Sequence, residues 1–228
     1  MFMKTCGIIG GMSWESSAEY YKLINEQINR KLGGLHSAKI ILYSVDFQEI
    51  AEYQKNNLWE KSAEVLSNAA KSLEKAGADF VMIATNTMHK VADKVKSSIS
   101  IPLLDIRDSL IEEIKAKNLK NVLLLGTKFT MEDCFYVDYL KKRGVDVVVP
   151  ESQDREIIHK VIFDELCLGV TKDSSKKEFL KIIEKYETEG VILGCTEIGM
   201  LISQKDTSKT ILDTTKIHCN FAVKIMCQ

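Results

Sequence analysis

The chain has 228 residues, 45% of them hydrophobic and 28% charged, with a formal net charge of −1. That length supports a sizeable core and falls between one large domain and two small ones. The near-neutral charge argues against a protein that holds nucleic acid by its phosphates. No apolar run is long enough to cross a bilayer, and two prolines with no Pro/Ser/Gly-rich stretch argue against a disordered linker.

From Met1 to Gly11 the chain has a short apolar core that runs into glycines without a cleavage pattern. It reads as the lead-in to a buried strand, not as a signal peptide. Apolar runs predict strands at 5–9, 39–44, 80–84, 103–105, 122–125, 145–149, 191–193 and 210–213. Most are rich in Val, Ile and Leu on both faces, as buried parallel strands are. Helical periodicity predicts helices at 16–32, 58–76, 110–117, 131–143 and 174–188. Two of these end with a basic residue close before glycine, at Lys75-Ala76-Gly77 and Arg143-Gly144. This alternation predicts an α/β fold with parallel sheets flanked by helices.

Three landmarks recur in the same order. Gly7-Ile8-Ile9-Gly10-Gly11 is matched by Leu123-Leu124-Leu125-Gly126-Thr127. The run Val81-Met82-Ile83-Ala84-Thr85-Asn86-Thr87 is matched by Val191-Ile192-Leu193-Gly194-Cys195-Thr196-Glu197, and Leu103-Leu104-Asp105 by Ile211-Leu212-Asp213. The repeat predicts two pseudo-symmetric lobes, the first of residues 1–105 and 215–228 and the second of residues 106–214. Ligands of open α/β sheets bind beyond the carboxyl ends of strands, so the site is expected in the cleft between the lobes.

The six cysteines are scattered, with no CxxC pair. That is neither a disulfide framework nor a zinc ribbon, and it suits a cytoplasmic protein. Cys195 stands apart because it follows an apolar strand and precedes Thr196-Glu197, which should open a helix. A thiol there is expected to have a lowered pKa. Cys6, Cys167 and Cys227 read as buried structural cysteines. Thr85-Asn86-Thr87 occupies the matching place in the first lobe, where hydroxyls, an amide and helix-start N–H groups suit a carboxylate, or simply cap a helix. His89, one helical turn on, reads as a satisfied structural histidine. A metal site built from His89, Cys195, His218 and Cys219 matches no zinc spacing, so no metal is expected. Gly10-Gly11-Met12-Ser13 is not a nucleotide-binding loop, and no GxSxG elbow occurs.

These motifs resemble the aspartate/glutamate racemase family. The resemblance rests on Gly10-Gly11-Met12-Ser13-Trp14-Glu15-Ser16, Thr85-Asn86-Thr87-Met88-His89-Lys90, Leu125-Gly126-Thr127 and Gly194-Cys195-Thr196-Glu197-Ile198-Gly199. It runs almost end to end and is strongest to the L-aspartate/glutamate-specific subgroup. It implies racemisation of acidic amino acids without pyridoxal phosphate or metal, no other cofactor, an L-enantiomer preference and a homodimer. Neither membrane nor nucleic-acid partners are implied. By position the two acid/base residues are Thr85 and Cys195. The common pattern has cysteine where this chain has Thr85, and the subgroup shares the threonine.

The resemblance also implies substrate contacts. Asn86, Thr87, Thr196 and Glu197 hold the α-carboxylate or ammonium, and Met12, Gln54, Thr127 and Lys128 line the side-chain pocket. Leu166-Cys167-Leu168 falls where a second basic contact is expected, which leaves substrate selectivity looser. Other readings are a hydantoin racemase or a decarboxylase of the same fold, or a non-catalytic amino-acid or carboxylate binder in which Thr85 supplies only hydrogen bonds.

Overall fold

The structure is a computed structural model that describes residues 3–228; Met1 and Phe2 of the N-terminal lead-in lie outside the described residues. In chain order the elements are β1 (Cys6–Gly10), α1 (Trp14–Leu32), β2 (Ile40–Ser44), α2 (Phe47–Lys55), α3 (Trp59–Lys75), β3 (Phe80–Ile83), a 3-10 turn (Thr87–Val91), α4 (Ala92–Ser97), β4 (Leu103–Leu104) and α5 (Ile106–Ala116). Then come β5 (Asn121–Gly126), α6 (Lys128–Glu132), α7 (Cys134–Lys141), β6 (Asp146–Val148), α8 (Ser152–Asp164) and a 3-10 turn (Leu166–Leu168). The chain continues through α9 (Asp173–Lys185), β7 (Gly190–Gly194), α10 (Ile198–Leu201), a 3-10 turn (Gln204–Asp206), β8 (Thr210–Asp213) and α11 (Thr214–Met226).

The strands form two four-stranded sheets, ordered β2-β1-β3-β4 and β6-β5-β7-β8. Every strand pairing is parallel, and the two sheets share one connectivity. The α/β class expected from the alternation is the observed one. Two compact units result, residues 3–106 with 218–228, and residues 107–217.

In the first unit the period of two along each strand feeds two cores. Cys6, Ile8, Phe80, Met82 and Ala84 face one side of the sheet, where Tyr20, Ile24 and Ile28 of α1 meet Cys219, Ala222 and Met226 of α11. Ile9, Val81 and Ile83 face the other side, against Leu66, Ala69, Ala70 and Leu73 of α3 and Ile50 of α2. Burial on both faces explains why these strands read as continuous apolar runs. The helix stripes repeat at three- and four-residue steps, and each buried Ile or Leu contributes roughly 1.5–3 kcal/mol. β2 differs. It is an edge strand whose Leu42, Tyr43 and Ser44 are exposed, so its apolar composition does not mean burial on both faces.

In the second unit α9 buries Ser175, Phe179, Ile182 and Ile183 along one stripe, and α8 buries Ile158 and Ile162 while packing on β5. The single helix expected at 131–143 is two helices. Asp133 has extended backbone (φ −79°, ψ 138°) and stands between α6 and α7, a position where aspartate is favoured as a helix start. α5 begins at Ile106, four residues before its expected start at 110. Helices α2, α8 and α11 were not legible as helices in the sequence.

Candidate active site

β1 and β3 are the two inner strands of the first sheet, so their carboxyl ends lie side by side. Ala84 prolongs the pairing by donating its N–H to the Ile9 carbonyl at 2.9 Å. Beyond β1, Gly11 has φ +92°, and a Cβ there would fall 2.2 Å from the Val45 carbonyl oxygen. Only glycine lets the chain turn this tightly against the end of β2. Its N–H donates to Ser17 Oγ at 2.8 Å, and Ser13 caps α1 through Ser16 N–H at 3.3 Å.

That turn delivers Met12 into the same cluster as Met88 and Ile50. Gln54 donates from Nε2 to Met88 Sδ at 3.1 Å. Met12, Gln54 and the start of the 3-10 turn therefore share one neighbourhood. Thr85 is half-buried at the strand end, while Asn86 and Thr87 are buried. The chain here does not begin an α-helix. Asn86 already has helical backbone with no side-chain cap, and the five residues that follow wind as a 3-10 turn. His89 is buried, and its ring contacts the Thr85 carbonyl and the Ile106 N–H.

In the second unit β5 and β7 are the inner strands, with Gly126 and Gly194 in register at their ends. Thr127 caps α6 by accepting from Thr130 N–H at 3.4 Å. The Lys128 backbone N–H donates to His159 Nδ1 at 3.3 Å, and its ammonium pairs with Glu156. Burial first, then the Lys128 charge, push the His159 pKa down, which keeps that ring a neutral acceptor.

Cys195 follows Gly194 directly, and its Sγ–H donates to Glu197 Oε2 at 2.9 Å. Its surroundings push the thiol pKa upward, against the expected lowering. Burial raises it well above the ordinary thiol value, and the Glu197 carboxylate raises it further by charge and hydrogen bond. The Glu197 backbone N–H does favour the thiolate, as helix-start donors do, but is outweighed. Nor does a long helix follow, since α10 has four residues and begins at Ile198. Thr196 is half-buried and Glu197 is buried.

Cys6 and Cys227 are buried as expected, whereas Cys167 is not. It is half-exposed on the 3-10 turn that packs against α10, near enough to Cys195 to push its thiol pKa upward. Cys219 lies in the core, and His218 is buried and bonded to Tyr20 and the Leu104 carbonyl. Among the described residues no cluster of three or more His, Cys, Asp or Glu side chains is arranged for a metal ion.

Residues 9–222 match the Asp/Glu/hydantoin racemase family model. The chain belongs to this family. Its homologues are amino-acid racemases, which are isomerases, and the family is enzymatic and works without pyridoxal phosphate. A broad specificity amino-acid racemase of Bacillus subtilis (strain 168), RacX, is 25% identical over 218 residues, which is 92% of each chain. The crystal structure of a candidate Asp/Glu racemase from Yersinia pestis superposes with a TM-score of 0.93 at 46% identity, covering 99% of this chain and 100% of that one. An aspartate racemase homologue from Pyrococcus horikoshii OT3 gives a TM-score of 0.87 at 38% identity, again over 99% and 100% of the two chains.

For this chain, sequence reasoning missed His159 and Glu156. They lie on α8, whose mixed polar sequence hides its helical period, so nothing linked them to Lys128. It also missed the Cys195–Glu197 bond, although the two-residue spacing was in plain view.

Proposed function

We propose that the chain racemises acidic amino acids, aspartate and glutamate, with a preference for starting from the L-enantiomer, and that Cys195 and Thr85 are its two proton-transfer groups. The observation that carries this reading is the thiol of Cys195 bonded to the buried carboxylate of Glu197 at the end of an inner strand. Thr85 holds the equivalent strand-end position in the first sheet.

A protonated thiol is not a base, so the Glu197 carboxylate takes the thiol proton before the α-proton can move. The thiolate then removes the α-proton of the L-substrate. The carbanion receives a proton on its other face from the Thr85 hydroxyl or from a water that Thr85 holds. Hydrogen-bond donors around Asn86, Thr87 and Thr196 stabilise the charge that builds on the substrate carboxylate. Met12, Gln54, Thr127 and Lys128 contact the substrate side chain, with the Lys128 ammonium as the cation for a second carboxylate. A hydroxyl is a far weaker base than a thiolate, so reaction from the D-side starts more slowly.

The test is exchange of α-hydrogen for deuterium in D2O without added cofactor, starting separately from L- and D-aspartate and from a panel of neutral amino acids. Exchange of L-aspartate and L-glutamate should exceed that of neutral substrates, and Cys195→Ala should abolish it. Equal initial rates from the two aspartate enantiomers would refute the asymmetry. Thermal protection by aspartate with no exchange would make the chain a binder.

A further inference from the structure

We infer that His89 is a positioning residue for Thr85, fixing the main chain behind its hydroxyl through one defined imidazole tautomer. The inference rests on the reading of Thr85 as a proton-transfer group. The 3-10 winding creates the need for it. The His89 backbone N–H steps back three residues to the Asn86 carbonyl at 3.1 Å. The Thr85 carbonyl, which a four-residue α-helical step would have used, is instead met by the His89 ring, with Nδ1 2.8 Å from the oxygen.

The partners dictate the protons. A carbonyl oxygen can only accept, so Nδ1 carries hydrogen. Nε2 lies 3.1 Å from the Ile106 N–H, which can only donate, so Nε2 is bare. Asp105 Oδ1 is 3.8 Å from the same nitrogen, beyond hydrogen-bond reach. One neutral ring thus ties the residue behind the reacting hydroxyl to the first residue of α5. The ring is 1% exposed, so water cannot replace either bond cheaply.

A second buried imidazole backs the first. The His218 ring lies 6.1 Å from that of His89, centre to centre. Its Nε2–H donates to the Leu104 carbonyl at 3.0 Å, and its Nδ1 accepts from Tyr20 Oη at 3.1 Å. Both rings are therefore committed at both nitrogens, and neither has a proton to contribute to catalysis. Their role is geometric, and geometry matters because a displacement of about 1 Å can cost two orders of magnitude in rate.

The experiment pairs His89→Leu with His89→Asn and reads steady-state exchange from D-aspartate, the direction in which the Thr85 side must act first. Leucine removes both bonds, whereas the asparagine Nδ2 stands where Nδ1 does and restores the donor to the Thr85 carbonyl. We expect His89→Leu to lower kcat at least about tenfold with KM altered less than about twofold, and His89→Asn to recover most of the loss. An unchanged kcat in folded His89→Leu, or equal losses in both variants, would overturn the inference.

Nitrogen-15 NMR of the histidine-labelled native enzyme gives a result that does not depend on variant folding. A ring protonated at Nδ1 and bare at Nε2 is expected, and the opposite tautomer refutes the proposal. The two layers separate cleanly. Full D-side exchange in Thr85→Ala would defeat the reading of Thr85, whereas unaltered turnover in His89→Leu defeats only the role of His89.

Discussion

Tyr20 and His218 stand 198 positions apart in the chain, yet the tyrosine hydroxyl donates to His218 Nδ1 at 3.1 Å inside a core that excludes water. That burial pushes the His218 pKa down to about 3. In the unfolded chain His218 titrates near pH 6.5. Below that pH the unfolded state binds a proton that the folded state refuses. Stability is therefore complete above about pH 6.5 and is lost as pH falls toward 3, by about 1.4 kcal/mol per pH unit from this group alone. Urea unfolding between pH 7 and pH 5 should show this slope. His218→Gln should flatten it, whatever its effect on stability at pH 7.

Gly11→Ala should destabilise the chain by at least about 2 kcal/mol, because the positive φ disfavours any side chain and the new Cβ meets the Val45 backbone. Urea midpoints at constant slope test this. Gly77→Ala is the control. It shares a positive φ (93°) but has open space around its Cβ, so its cost should be the smaller of the two.

Thr85→Cys replaces a very weak acid and base by a thiol that ionises far closer to neutral pH. Initial exchange from D-aspartate should rise by at least about tenfold, while exchange from the L-side changes much less. A fall in both directions would count against Thr85 as a proton carrier.

Lys128 is held by Glu156, whose own carboxylate pKa is lowered chiefly by that hydrogen bond. A substrate carboxylate must compete with this partner. Glu156→Gln should therefore lower KM for aspartate by about threefold with kcat nearly constant. It should leave stability nearly unchanged, since Glu156 is exposed and its ion pair is screened by water. No change in KM would remove Lys128 from the pocket.

The inner strands β1, β3, β5 and β7 were visible in the sequence because burial on both faces leaves runs of Val, Ile and Leu that few other environments tolerate, and the outer strands because they carry shorter apolar runs of the same kind. The helices α1, α3 and α9 were visible for the same kind of reason, with stripes such as Leu66, Ala69, Ala70 and Leu73. α2 escaped because one of its two buried residues is Gln54, and α8 because it buries only Ile158 and Ile162 among charged neighbours. Cys195 was legible by its place after a strand. The direction of its pKa shift was not, because that depends on how deeply the sulfur sits and on where a carboxylate two residues away points. The contact of His89 with Ile106 spans 17 positions and follows from no local pattern.

The core of the first unit is closed on one side by Cys219, Ala222 and Met226 of α11. During synthesis the strands and helices made first must wait, with an apolar wall uncovered, while the ribosome translates the whole second unit. Folding of the two units is thus out of step with the order in which they are made. Cutting the chain just before α11 should leave its earliest-made part, not its latest, sticky and prone to clump.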